Sequence, residues 1–130
     1  AGEEAGFRRV EAEILSGLAG RPGVVVACGG GAALAGDAFR ALCRTAFVAL
    51  LDASDEVLLA RLAAAPRAPL TSQPPRTELA RQRAERGPAY AAAAHLVVDT
   101  AVADAEECAS AVAVAALREN ARTLSRGPVA

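Results

Sequence analysis

A run of three glycines, residues 29–31, follows an apolar stretch at 24–27 and Cys28. An unbroken apolar run rich in β-branched residues is typical of a strand buried on both faces of a parallel sheet. In open α/β sheets, ligands bind beyond the carboxyl ends of the strands. We therefore predict that the bare N–H groups of Gly29, Gly30 and Gly31 face a small oxygen-rich ligand. The alternative is a tight turn with positive φ, for which one glycine would suffice.

The charges of the chain exclude several classes of function. All 14 basic residues are arginine, and the formal net charge is −1. A P-loop needs a lysine to reach the β- and γ-phosphates of a nucleotide, so this sequence contains no P-loop. A nucleic-acid-binding protein needs a basic face, and a membrane span needs about 20 apolar residues. We therefore expect neither nucleic acid nor membrane as a partner.

The cysteines and the single histidine indicate neither a disulfide framework nor a metal centre. Cys28, Cys43 and Cys108 are odd in number and fall on predicted buried elements, which favours reduced thiols in a cytoplasmic protein. His95 opens an apolar run with no cysteine or histidine at metal-ligand spacing. We therefore predict no metal site within the chain.

The sequence alternates predicted helices and strands, which indicates an α/β domain. Strands are predicted at 24–28, 46–51 and 96–99, and helices at 3–18, 37–44, 77–86 and 90–94 and after Ser54 and Asp104. Asp37 and Ser54 are predicted N-caps, and Gly87-Pro88 is expected to separate two helices. The length of 130 residues suits one domain. We place it at 1–118, with a lid loop at about 65–76 and a polar tail or linker at 119–130.

The chain resembles the shikimate kinase family over roughly residues 2–100. Four motifs occur in the family's order: G-F-R-x-x-E at 6–11, the strand ending in Gly-Gly-Gly, Ala68-Pro69-Leu70 at the place of the lid motif R-P-L-L, and R-x-P-x-Y at 86–90. The resemblance implies a three-layer α/β/α parallel sheet of the P-loop nucleoside-monophosphate-kinase-like type, lacking the N-terminal P-loop strand. It also implies a monomeric cytoplasmic enzyme that uses ATP and Mg²⁺ to phosphorylate the 3-hydroxyl of shikimate, a step of chorismate and aromatic amino-acid biosynthesis.

The same resemblance implies a substrate site built on arginine. Guanidinium groups form bidentate, charge-assisted hydrogen bonds with a carboxylate, whereas lysine offers a point charge. The family's motifs place Arg8 and Arg86 on the shikimate carboxylate. The other implied site residues are Phe7 lining the pocket, Glu11 orienting Arg8, Gly29, Gly30 and Gly31 meeting a hydroxyl, Arg61 near the nucleotide and Arg67 as the catalytic lid residue. The alternative for Arg8 is a solvated arginine paired with Glu4, and for Glu11 an ordinary surface pair.

Two departures from the family pattern leave other functions open. Ala68 stands where the lid arginine belongs, and Arg67 lies one residue earlier. A non-catalytic domain that senses a small carboxylate is the alternative function, and a kinase of another small hydroxylated compound is a third.

The family's P-loop and early aspartates lie upstream of residue 1. We therefore expect a piece of a longer kinase, inactive alone, rather than a protein that begins here. In the family the P-loop strand lies between the equivalents of 24–28 and 46–51. Without it, we expect the isolated chain to be unstable or to pair those strands directly, because unpaired buried backbone groups cost about 1–3 kcal/mol each.

Overall fold

The computed structural model describes residues 2–65 and 72–125. Its elements are α1 (Gly2–Leu18), a 3₁₀ turn (Ala32–Ala35), α2 (Asp37–Thr45), β1 (Ala49–Asp52), α3 (Asp55–Ala64), α4 (Pro75–Ala93), β2 (Leu96–Asp99) and α5 (Ala105–Ser125). Strands β1 and β2 pair in parallel, from Ala49 opposite Leu96 to Asp52 opposite Asp99. The connection between them passes through helices, as parallel pairing requires. The predicted α/β class with a parallel sheet is confirmed.

Residues 24–28 are not the buried strand that their composition predicts. This segment forms no ladder with β1 or β2, the two strands found in the described part of the chain. Val24 is half exposed and Val25 is fully exposed, while Val26 packs against the core. The prediction of burial on both faces is therefore wrong here, because no described strand takes up the segment's backbone hydrogen bonds. The alternative of direct pairing with 46–51 is not observed either, and the stability of the chain stays a prediction.

The core lies between α1 and α2 and supports the glycine run. Leu15 of α1 and Phe39 and Leu42 of α2 are buried together with Ala32, which is 1% exposed. Ala32 directly follows Gly31 and begins the 3₁₀ turn. The glycine run is thereby anchored to the best-packed part of the described chain.

Helix α4 continues through the Gly87-Pro88 pair, where the sequence predicts a break. A proline inside a helix removes one N–H donor and normally kinks or ends the helix. In α4 the residues on both sides are tied to other elements: Arg83 bonds to Asp52 and Tyr90 bonds to Gly30. Tertiary contacts outweigh the local effect of Pro88, so the prediction of two separate helices is wrong.

For the other helices, the observed ends match the predicted ends only in part. Ser54 caps α3 by accepting a hydrogen bond from the N–H of Val57 at 3.4 Å, as predicted. Asp37 is the first residue of α2 rather than its N-cap, and its carboxylate pairs with Arg40 at 2.5 Å. Helix α5 continues past residue 118 to Ser125, into the segment predicted to be a polar tail. No helix in the described ranges is long and apolar enough to cross a membrane.

Candidate functional site: two arginines at the glycine run

Helix α1 supplies an arginine that is held by a neighbouring carboxylate. Arg8 donates from Nη1 to Oε2 of Glu11 at 2.7 Å, across one turn of the helix. The Glu11 side chain is 13% exposed and that of Arg8 is 33% exposed, so the pair is half-buried rather than solvated. The Arg8 Cζ atom also lies 5.4 Å from the centroid of the Phe7 ring. Arg8 is therefore paired with Glu11 and not with Glu4, the alternative that the sequence left open.

The two arginines lie so close to Gly30 and Gly31 that a side chain at either position would require an arginine to shift. A Cβ atom added at Gly31 would lie 2.6 Å from Nη2 and 2.7 Å from Cζ of Arg8. At Gly30 it would lie 3.3 Å from Nη1 of Arg86. The glycines with positive φ in the described chain are Gly20, Gly23 and Gly36. Arg86 and Arg8 thus approach Gly30 and Gly31 closely, and the positive-φ turn considered from the sequence is not found at residues 29–31.

The carbonyl groups of the run accept hydrogen bonds, whereas its N–H groups have no acceptor among the described residues. The carbonyl of Gly29 accepts from the N–H of Ala32 at 3.0 Å, and that of Gly31 accepts from Leu34 at 2.9 Å. The carbonyl of Gly30 accepts from the hydroxyl of Tyr90. Within residues 2–65 and 72–125, none of the three N–H groups has an acceptor. These donors are available to a ligand.

Helix α4 supplies the second arginine. Arg86 and Tyr90 are one helical turn apart and therefore lie on the same face, and both reach Gly30. Arg86 Nη1 donates to Oε1 of Gln82 at a long 3.3 Å. Its Nε is buried and has no hydrogen-bond partner among the described residues. The Arg86 guanidinium thus retains unused donors beside the glycine run.

Two neutral groups border the site. Burial raises the pKa of the Tyr90 hydroxyl, although the nearby Arg86 charge opposes this. Cys28 is exposed, whereas the sequence predicts it on a buried element. Partial desolvation, and then the Glu11 charge, raises the pKa of its thiol. Both groups therefore stay protonated at neutral pH. An open cleft of about 190 Å³ beside the run is lined by apolar residues of α1 and by Phe7, Glu11, Cys28 and Gly29.

Arg83 is an anchoring residue that the sequence analysis missed. Its Nη2 donates to Oδ1 of Asp52 at 3.1 Å and to the carbonyl of Ala53 at 2.5 Å, and its Nε lies 2.5 Å from Oδ1 of Asp55. The hydrogen bond to Asp52, more than any other contact, raises the pKa of Arg83. These contacts tie α4 to the end of β1 and the start of α3. The spacing of Arg83, Arg86 and Tyr90 on one face of a helix was the available signal.

The remaining predicted residues lie elsewhere. Arg61 of α3 donates to Oγ1 of Thr100 at 2.8 Å and to its carbonyl at 2.6 Å, directly after β2. Arg67 and the Ala68-Pro69-Leu70 motif lie outside the described residues. Within the described ranges, no group of three His, Cys, Asp or Glu side chains is placed to hold a metal ion.

Comparison with known proteins identifies the family. A family model for shikimate kinase matches residues 1–116. The chain belongs to the shikimate kinase family. It is 46% identical over 102 residues to a shikimate kinase of Symbiobacterium thermophilum, an alignment that covers 76% of this chain and 58% of the relative. No solved structure matches significantly.

Other relatives of the shikimate kinase family show the same partial coverage. The chain is 41% identical to shikimate kinase 2 of Syntrophotalea carbinolica, covering 75% of this chain and 59% of that protein. It is 37% identical to a shikimate kinase of Tolumonas auensis, covering 85% of this chain and 65% of that protein. The chain thus spans less than two thirds of the length of the curated relatives it matches.

Proposed function

We propose that this chain is the substrate-holding part of a shikimate kinase, which transfers the γ-phosphoryl group of ATP to the 3-hydroxyl of shikimate. One observation carries the proposal: Arg8 and Arg86, on different helices, converge on a glycine run whose N–H groups have no acceptor in the described chain. Membership of the family supports the same function.

The charge of the site suits an anionic ring compound. Glu11 neutralises one of the two guanidinium groups, which leaves one positive charge for one ligand carboxylate. The fork of an arginine binds a carboxylate through two parallel hydrogen bonds. With the carboxylate held by Arg8 and Arg86, the free N–H groups of Gly30 and Gly31 are donors for the ring hydroxyls. Binding at both ends fixes the orientation of the ring, which phosphoryl transfer needs.

The chain's own residues do not fit ATP and Mg²⁺. Its basic residues are all arginine, so no P-loop lysine is present. The described residues offer no metal cluster, and Arg61, the predicted nucleotide contact, is bonded to Thr100. In the proposed whole enzyme, ATP supplies the phosphoryl group and is held mainly by residues outside this chain.

The same proposal places a P-loop strand next to residues 24–28 and completes a three-layer α/β/α fold. Val24 and Val25 of this segment are exposed. The segment has no ladder partner among the described strands. A strand added there would cover the apolar side chains and satisfy the backbone groups.

The test compares this chain alone with the chain joined to the N-terminal P-loop segment of the Symbiobacterium relative. Shikimate binding is followed by NMR, and phosphoryl transfer by ADP release. We expect the chain alone to bind shikimate without turnover, and the joined protein to turn over. Arg86→Lys in the joined protein should raise KM for shikimate, whereas Arg76→Lys, at an exposed arginine of α4, should not. Turnover by the chain alone at a usual kinase rate, or absence of shikimate binding, would contradict the proposal.

A non-catalytic sensor of a small carboxylate is the second candidate. It is favoured by Ala68, which stands where the family has the lid arginine. A joined protein that binds both shikimate and ATP but releases no ADP would favour the non-catalytic sensor. If Ala68→Arg restores ADP release, the result would instead favour a kinase.

A further inference from the structure

Tyr90 links helix α4 to the middle of the glycine run. Tyr90 lies one helical turn after Arg86, and its hydroxyl donates a hydrogen bond to the carbonyl of Gly30. Its ring packs against the core formed by α1, the 3₁₀ turn and α2. Because the packed ring fixes the position of the hydroxyl, the hydrogen bond restrains the Gly30 carbonyl.

This bond controls the direction of an unused donor. In a planar trans peptide the C=O of one residue and the N–H of the next point in opposite directions. Holding the Gly30 carbonyl on Tyr90 therefore directs the Gly31 N–H to the opposite side. The Gly29 and Gly31 carbonyls are held by bonds to Ala32 and Leu34. The Gly30 carbonyl, in contrast, is bonded to a side chain, that of Tyr90.

Without that bond the peptide between Gly30 and Gly31 would be the least restrained one in the run. Glycine adopts a wider range of φ and ψ than any other residue, so a Gly-Gly peptide rotates readily. Arg8 and Arg86 do not replace the restraint, because each approaches a glycine from the side-chain position rather than bonding to the Gly30 carbonyl.

We propose that Tyr90 is a positioning residue that orients the Gly30–Gly31 peptide so that the Gly31 N–H reads a ring hydroxyl of the ligand. This inference rests on the proposed function, since it assigns the hydroxyl-binding half of that site. Tyr90 then contributes to recognition of the ring hydroxyls. The grip on the carboxylate belongs to Arg8 and Arg86 and does not depend on the Tyr90 hydroxyl.

The test is Tyr90→Phe, which keeps the packed ring and removes the donor. Affinity is measured for shikimate and for cyclohex-1-ene-1-carboxylate, which has the same carboxylate and no hydroxyls. We expect the loss of one neutral hydrogen bond to weaken shikimate binding roughly two- to tenfold. The affinity for the analogue should stay unchanged. The matched control is Thr45→Ala, which removes a hydroxyl that accepts from Gly20 N–H away from the site. Equal losses for both ligands, or no loss for either, would overturn the inference.

A second measurement needs no ligand. The ¹H–¹⁵N resonance of the Gly31 amide is compared between the wild-type chain and Tyr90→Phe, with Thr45→Ala as control. We expect Tyr90→Phe to shift or broaden this resonance, and an unchanged resonance would overturn the positioning role. If the wild-type chain binds the analogue but not shikimate, or binds neither, the proposed function fails and so does the hydroxyl-reading role. If shikimate binds and Tyr90→Phe changes nothing, the positioning role alone fails.

Discussion

The guanidinium of Arg8 occupies the space that a side chain at residue 31 would fill. A Cβ atom at Gly31 would lie within 2.7 Å of the Arg8 Cζ. The glycine and the arginine are therefore mutually dependent, although they are separated in sequence and lie on different elements. Glu11 holds the arginine in this place through a 2.7 Å bond. The position of the Arg8 guanidinium thus depends on residue 31 having no side chain.

Gly31→Ala should displace Arg8 and weaken shikimate binding by tenfold or more. The reason is that hydrogen bonds to a charged group contribute about 1.5–3 kcal/mol, and the displaced guanidinium loses its bonds to the ligand. Affinity is measured by titration calorimetry. The control is Gly17→Ala in α1, where an added Cβ meets nothing described within 4 Å. That control should raise stability by about 0.5–1 kcal/mol, since alanine favours a helix. Unchanged affinity in Gly31→Ala would contradict the close approach.

Arg8→Lys should lower shikimate affinity by tenfold or more while preserving the charge. A lysine cannot form the paired hydrogen bonds of a guanidinium with a carboxylate. Arg9→Lys is the matched control, because Arg9 is the adjacent, exposed arginine on the same helix. The same calorimetric titration applies to both. Equal affinities for Arg8→Lys and Arg9→Lys would show that Arg8 contributes only charge.

Arg83→Gln should lower the free energy of unfolding by about 1–2 kcal/mol, because the hydrogen bonds from Arg83 to Asp52 and to the carbonyl of Ala53 are lost, together with the ion pair to Asp55. Arg81→Gln is the control: the Arg81 side chain is 52% exposed and pairs with Glu78 and Glu85 of the same helix. Exposed pairs contribute about 0–1 kcal/mol, so that variant should change little. Urea denaturation measures both. A larger loss in Arg81→Gln than in Arg83→Gln would contradict the assignment of Arg83 as the anchor of α4.

Local patterns in the sequence predict the helices and the strand at 96–99 better than they predict the strand that leads to the glycine run. The helix carrying Arg8, the cap at Ser54 and strand 96–99 follow from local patterns, and the structure contains all three. The strand expected at 24–28 is absent from the described sheet because its formation depends on a neighbouring strand, not on its own residues. The continuity of α4 through Pro88 depends on tertiary bonds in the same way. Arg83 was missed because its partners are distant in sequence.

Ser54→Ala should destabilise the chain by about 1 kcal/mol at neutral pH, because α3 loses its N-cap. The cost should be smaller once the pH falls below the lowered pKa of Glu56. A hydrogen bond from its own backbone, followed by one from Ser54, lowers the pKa of Glu56. A lowered pKa stabilises the fold above the ordinary pKa of glutamate, and this contribution is lost as the pH falls through the lowered value. Urea midpoints across this range measure the effect. A cost that grows on acidification would contradict it.

The proposed site requires that Arg8 and Arg86 together hold one carboxylate. Its most direct test follows the arginine Nε–Hε resonances of the chain by ¹H–¹⁵N NMR as shikimate is added. The Arg86 Nε has no hydrogen-bond partner in the described chain, so no hydrogen bond within the described protein contributes to its resonance before shikimate is added. We expect the Arg8 and Arg86 signals to shift saturably with one shared dissociation constant, while the Arg9 signal stays unchanged. Saturable binding that moves other arginines, or only one of these two, would contradict it.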